Sequence, residues 1–152
     1  MVIVGAVVLV LGAALFLYLD AAGKRKPAAP PPLTGAAKEY TKFLQFVSAD
    51  GQSIESPKME AHESYMKQQV VEVTGNLRNA GDRVLDLVEI NCVFYDPYGQ
   101  VVLRERVPLV SSRKGGKLAP GETRAFRLAF DSVPESWNQA MPQMVIARIE
   151  FA

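Results

Sequence analysis

Few side chains in this sequence could do chemistry, and their spacing limits what that chemistry could be. His62 is the only histidine and Cys92 the only cysteine. One histidine cannot build a multi-histidine metal site, and one cysteine cannot close an intrachain disulfide. His62 lies between Ala61 and Glu63 in the stretch Lys58 to Ser64, which alternates weakly and fits a first edge strand. With Glu60 and Glu63 it could serve acid–base catalysis only if a cleft gathered all three groups. Glu60 and Glu63 stand three apart, so a strand points them to opposite faces and they make a poor carboxylate pair. Solvated surface side chains are the plainer account. Cys92 alternates with Ile90 and Phe94, the pattern of a buried, inert thiol rather than a nucleophile. No P-loop, dinucleotide fingerprint, zinc spacing or calcium loop occurs. The expectation is a protein without catalysis, cofactor, metal or small-molecule substrate.

The remaining distinctive groups are suited to contact. Arg113 and Lys114, with Lys117, form a basic cluster in a Gly-rich loop at 111–117, either a solvated tip or a partner contact. The net charge is +1 from 17 basic and 16 acidic side chains, so no global field recruits nucleic acid. Tyr98 falls at the tip of a turn, where a large flat side chain can anchor an interface. Tyr65 and Trp137 also lie in or near loops, although a buried end-plug is the simpler role for Trp137. Tyr40 and Phe43 lie on the apolar side of a helical pattern whose cover is either the domain itself or another protein. The contact candidates are therefore Tyr98, Arg113, Lys114, Tyr40 and Phe43.

The element that places all of these is at the N-terminus. Val2 to Leu19 carries no charge and no strongly polar side chain, and Asp20 and then Lys24-Arg25-Lys26 close it. A run of about 17–25 apolar residues can cross the hydrocarbon core as a helix, which satisfies its own backbone groups there. The lipid-facing bulk comes from residues such as Val2, Val8, Leu11, Leu15, Phe16 and Leu19. A cleaved signal peptide is the competing reading. It needs a basic n-region, a shorter apolar stretch and small residues before the cut; nothing basic precedes Val2, and Leu19-Asp20-Ala21-Ala22 is a poor cleavage context. The expectation is a retained anchor at 1–23. The basic triplet follows the span directly, and the positive-inside bias then puts the C-terminal domain on the cytoplasmic side, with the periplasmic side as the alternative. The span holds no ionisable side chain, so it offers no metal ligand and no proton relay.

Residues 24–33 form a basic, Pro-rich spacer, KRKPAAPPPL. Residues 34–57 are expected to form an amphipathic helix to about Val47, with Thr34 as N-cap, followed by a turn. From 58 to 152 the pattern changes to strands separated by turn chemistry. Val71, Val73 and Leu77 share one face, as do Val88, Ile90, Cys92 and Phe94, and Phe126, Leu128 and Phe130. Ser132-Val133-Pro134-Glu135 has the spacing of a capping box and predicts a short helix containing Trp137. In the last strand Val145, Ala147, Ile149 and Phe151 are expected to face inward. The predicted fold is mainly β, an Ig-like antiparallel β-sandwich preceded by one transmembrane helix.

Three segments in order carry a family resemblance. Gly75-Asn76-Leu77-Arg78-Asn79-Ala80-Gly81-Asp82 matches a G-x-v-x-N-x-G opening. Val93-Phe94-Tyr95-Asp96-Pro97-Tyr98-Gly99-Gln100-Val101-Val102 matches a Y-D-x-x-G hairpin, and Leu118-Ala119-Pro120-Gly121-Glu122-Thr123-Arg124-Ala125-Phe126 an L-x-P-G-e-x-x-x-F segment. These resemble the FxLYD domain and its membrane-anchored bacterial relatives of unknown function, and Val133 to Asn138 followed by Pro142 is similar to the anchored subset. Cys92 and Phe94 replace the Phe and Leu of the naming motif, while Tyr95 and Asp96 stay. The resemblance implies an Ig-like or related sandwich without known catalytic residues. The function expected is a single-pass, non-catalytic interaction module of the bacterial inner membrane. It would be an accessory or stabilising subunit of a larger complex, for example an energy-transducing one, with lipid and other subunits as partners. A free-standing envelope protein binding a small ligand or peptide through the sandwich is the alternative.

Overall fold

The structure, a computed structural model, describes residues 33, 35–66 and 69–152. The expected anchor at 1–23 and nearly all of the 24–33 spacer lie outside these residues. Among the described residues no helix is long and apolar enough to cross a membrane.

A short helix α1 (Gly35–Tyr40) and a 3-10 turn (Thr41–Phe43) lead into seven strands: β1 (Leu44–Val47), β2 (Lys58–Glu63), β3 (Gln69–Asn79), β4 (Leu85–Tyr95), β5 (Val101–Ser111), β6 (Thr123–Val133) and β7 (Gln143–Phe151). All strand pairings are antiparallel. In one sheet β3 is central, with β6 on one side and β1 and β2 in tandem on the other; in the second sheet β4 is central between β5 and β7. The apolar faces of the two sheets meet, as in a β-sandwich. Val71, Val73, Leu77, Phe126, Leu128 and Phe130 from the first sheet form one core with Val88, Ile90, Cys92, Phe94 and Ile149 from the second. Phe94 meets Phe130 edge-on across the sheets at 5.0 Å between ring centroids. The three strand faces read from period-two alternation are thus the faces that are buried.

Three elements differ from the sequence expectation, each for a tertiary reason. The helix at 34–47 stops after one and a half turns, because Leu44 is already extended (φ −91, ψ 117) and Leu44–Val47 pairs with Asn76–Asn79. The open hydrogen-bonding edge of β3 outweighs the local helical spacing there. No helix starts at Ser132, since β6 runs on through Val133, which pairs with Gln69 and buries its side chain. In β7 a register shift opposite Glu89/Ile90 reverses the alternation. Met144 and Ile146 therefore pack on the core and Val145 is exposed, while Ile149 and Phe151 keep the inward face. An extra residue in one strand has this effect because strand faces alternate strictly.

Candidate functional site

The groups capable of chemistry do not converge. Glu60, His62 and Glu63 are all exposed on β2, opposite Glu72, Val70 and Gln69 of β3. Among the described residues no cluster of His, Cys, Asp and Glu could hold a metal ion. Cys92 is fully buried, and its thiol is pushed up to about 12, first by burial and then by the Glu105 carboxylate opposite it. A thiol held that far from ionisation is a packing group.

The most elaborate polar arrangement is a buried node at the end of the domain where the described chain begins. Tyr40 Oη donates to Asn79 Oδ1 (2.9 Å) and accepts from the Arg83 backbone N–H (2.9 Å). The Asn79 amide nitrogen donates to the Arg83 carbonyl (2.8 Å) and the Leu118 carbonyl (3.2 Å), and Oδ1 also accepts from Gly81 N–H (3.2 Å). The Asn79 backbone closes the set, donating to Glu122 O (3.0 Å) and accepting from Gly121 N–H (2.7 Å). A fully buried amide is tolerated because both of its ends are satisfied. Gly81 is required for packing: a Cβ there would stand 2.3 Å from Tyr40 Oη. The N-x-G motif is thus a socket that α1 fills with Tyr40. Tyr40 also meets Phe43 (5.2 Å) and Phe151 (5.1 Å), and the Arg83 guanidinium lies 3.3 Å above the Phe151 ring. Tyr40, expected as a partner contact, is therefore taken up by the domain's own core, and Phe43, half-buried, packs against that core. Of the two covers the sequence allowed, the domain itself supplies this one, through partners of Tyr40 about forty residues away.

The contact candidates that do face solvent occupy two opposite ends. Tyr98 is 89% exposed on the β4–β5 turn. Asp96 makes that turn rigid: its Oδ1 accepts from Tyr98 N–H (2.9 Å) and Gln100 N–H (2.8 Å), and Gly99 takes φ 78. At the same end the β2–β3 connection exposes Tyr65 (109%) and Met66 (81%). The link between the two tips runs through the β6–β7 segment. Val133 pairs with Gln69, and Asn138 N–H donates to Tyr95 O (2.9 Å). Trp137 closes that segment from inside, buried, edge-on to Phe94 at 5.8 Å, with Nε1 donating to Ala140 O (3.1 Å). Only the role of end-plug remains to it.

Arg113 and Lys114 occupy the opposite end, on the loop after β5, and both are exposed. Arg124 holds this loop from below, donating to the carbonyls of Gly116 and Lys117 (both 2.6 Å) and to Glu122 Oε1 (2.8 Å). A separate groove of about 260 Å³ lies where β1 ends and β2 begins along β3, with Val47, Lys58, Gly75, Asn76 and Phe126 among its walls. A Cβ on Gly75 would come within 2.8 Å of Phe126 Cζ, so the glycine admits the ring rather than a ligand.

No family model and no curated protein matches the chain. Among solved structures the chain is similar to a Bordetella pertussis protein assigned as ApaA, at 16% identity and a TM-score of 0.35, over 63% of this chain and 89% of that one. A likeness at that level carries no argument about fold or function.

Proposed function

We propose that this protein is a single-pass, membrane-anchored, non-catalytic interaction module with an Ig-like, FxLYD-related sandwich. In this reading it is an accessory or stabilising subunit of a larger membrane complex. The observation that carries it is the end bearing Tyr98, Tyr65 and Met66, where large apolar side chains stand in solvent. Tyr98 is held there on a turn locked by Asp96. Rigid aromatic side chains presented this way are the usual anchors of protein interfaces. The apolar run Val2–Leu19 supplies the anchor and Lys24-Arg25-Lys26 the cytoplasmic orientation at the bacterial inner membrane.

The test is mild-detergent extraction of the full chain followed by mass spectrometry of what copurifies. Defined membrane proteins are expected with the wild type. Their yield should fall by more than about tenfold in Tyr98→Ala, the loss expected of an interface anchor. A chain that runs alone and monomeric refutes the proposal. One observation favours the alternative of a ligand- or peptide-binding envelope protein, namely the groove beside Gly75. At about 260 Å³ it falls below the roughly 300–1,000 Å³ of ordinary small-molecule sites.

A further inference from the structure

The near-neutral net charge conceals a polarised domain. β5 runs from the Tyr98 turn to the Arg113–Lys114 loop, so the two tips stand about 33 Å apart along the strand. The Tyr98 end holds Glu60, Glu63, Asp96, Asp131 and Glu135, against one basic residue in the sequence of its loops and strand ends, Lys67. The other end presents Lys38, Arg83, Arg113, Lys114 and Lys117, all exposed. It also has acids, but two of these are engaged internally. Asp86 accepts from Ser112 Oγ (3.0 Å) and pairs with Lys117 Nζ (3.8 Å), which leaves Arg113 and Lys114 as the uncompensated cations of the loop. Glu122 is taken by Ala119 N–H (2.8 Å) and Arg124. Glu39 and Asp82 are exposed. Among the described residues Arg113 and Lys114 make no ion pair.

This basic end is also where the described chain begins. Tyr40 is locked to Asn79 and Arg83, Ala80 N–H donates to Phe43 O (2.8 Å), and the loop after β5 is joined to the same corner through Leu85–Leu118 and Ser112–Asp86 backbone bonds. Whatever precedes Leu33 is attached at this end, and the spacer 24–33 can span no more than about 36 Å even when fully extended.

We infer that the end of the domain bearing Arg113 and Lys114 docks on the headgroups of anionic lipids in the membrane that holds the anchor; this rests on the anchored reading above. The cytoplasmic leaflet carries a negative surface potential, and each Lys or Arg brought to it strengthens association about fivefold. The attraction acts only within a Debye length of about 8 Å at physiological salt. The short tether supplies the rest, because it makes docking an intramolecular event at high effective concentration. Arg124 holds the loop carbonyls, so the two cations are presented without first ordering a flexible segment. Docking in this way turns the carboxylate-bearing Tyr98 end outward, where a partner subunit can reach it.

The experiment uses the full chain in nanodiscs of phosphatidylcholine with or without phosphatidylglycerol. An environment-sensitive fluorophore is placed at Gly115→Cys, where a Cβ meets nothing closer than Arg124 Nη1 at 3.9 Å, and in a second protein at Tyr98→Cys. The buried Cys92 does not compete for label. With anionic lipid and low salt, the label at 115 should shift to the blue and resist acrylamide quenching, while the label at 98 stays water-exposed. High salt should abolish the protection, and Arg113→Gln with Lys114→Gln should reduce docking about 25-fold. Equal quenching at 115 in both lipids overturns the inference, as does equal protection in neutral lipid. A chain that never coelutes with the discs refutes the anchor itself, before any label is read.

Discussion

Replacing Gly81 with alanine tests whether the N-x-G motif is a socket for Tyr40. Gly81 does not have a positive φ, so alanine is not strained by its own backbone. Any cost must come from Tyr40, whose Oη, Cζ and Cε2 would lie 2.3, 2.5 and 2.9 Å from the new methyl. These are ring atoms of a side chain that is buried and hydrogen-bonded, so Tyr40 must leave its site. Expelling a buried aromatic costs about 3–5 kcal/mol. An Asn79 left short of a partner adds about 1–3 kcal/mol where water cannot replace the bond. The two terms sum to about 4–8 kcal/mol, and partial relaxation reduces this to about 3–5 kcal/mol, which lowers Tm by about 10–20 °C. Urea unfolding of the detergent-solubilised full chain measures this, with Trp137, the only tryptophan, as a reporter buried at the far end. The decisive comparison is a double-mutant cycle with Tyr40→Ala. Once the ring is absent, Gly81→Ala should cost less than about 1 kcal/mol, giving a coupling of at least about 2 kcal/mol. Additive costs would show that Gly81 serves some purpose other than admitting Tyr40.

Cys92 should resist alkylation in the folded chain and react on unfolding, as thiol labelling against urea will show. Its folded value of about 12 exceeds the ordinary thiol value, so the unfolded state loses the proton first. Its contribution to stability is therefore complete below about pH 8.5 and declines by about 1.4 kcal/mol per unit between there and the folded value; Cys92→Ala should remove that component of the slope. Glu122 behaves in the opposite sense. The Ala119 N–H, and then Arg124, hold its carboxyl below the usual glutamate range. Its contribution is present above that range and is lost as pH falls through the folded value, so Glu122→Gln should flatten the acid limb of an unfolding profile taken against pH.

The strand faces were legible in the sequence wherever one residue in two is buried. Val71, Val73 and Leu77, Val88 to Phe94, and Phe126 to Phe130 all occupy the core as alternation requires. Legibility failed where a non-local partner decided the outcome. Leu44–Val47 has helical spacing and becomes a strand because β3 offers it an unpaired edge. Ser132 has the chemistry of a helix cap and stays in β6 because Gln69 pairs with Val133. The phase of β7 turns on a register shift that no side chain in it announces. Asn79 and Gly81 could be recognised as turn formers, but the purpose of the turn depends on Tyr40, about forty residues earlier. The exposure of Tyr98 was readable because Asp96, Pro97 and Gly99 announce a tight turn. The charge polarity was hidden, because only the order of strands reveals which loops share an end.

The central claim is that the Val2–Leu19 segment stays in the bilayer and carries a non-catalytic β domain to its partners. Alkaline carbonate extraction of membranes from cells expressing the full chain, followed by N-terminal sequencing of the recovered polypeptide, tests it most directly. The chain should remain in the membrane pellet with residues 1–20 intact. A polypeptide released to the supernatant, and beginning beyond residue 20, would contradict it.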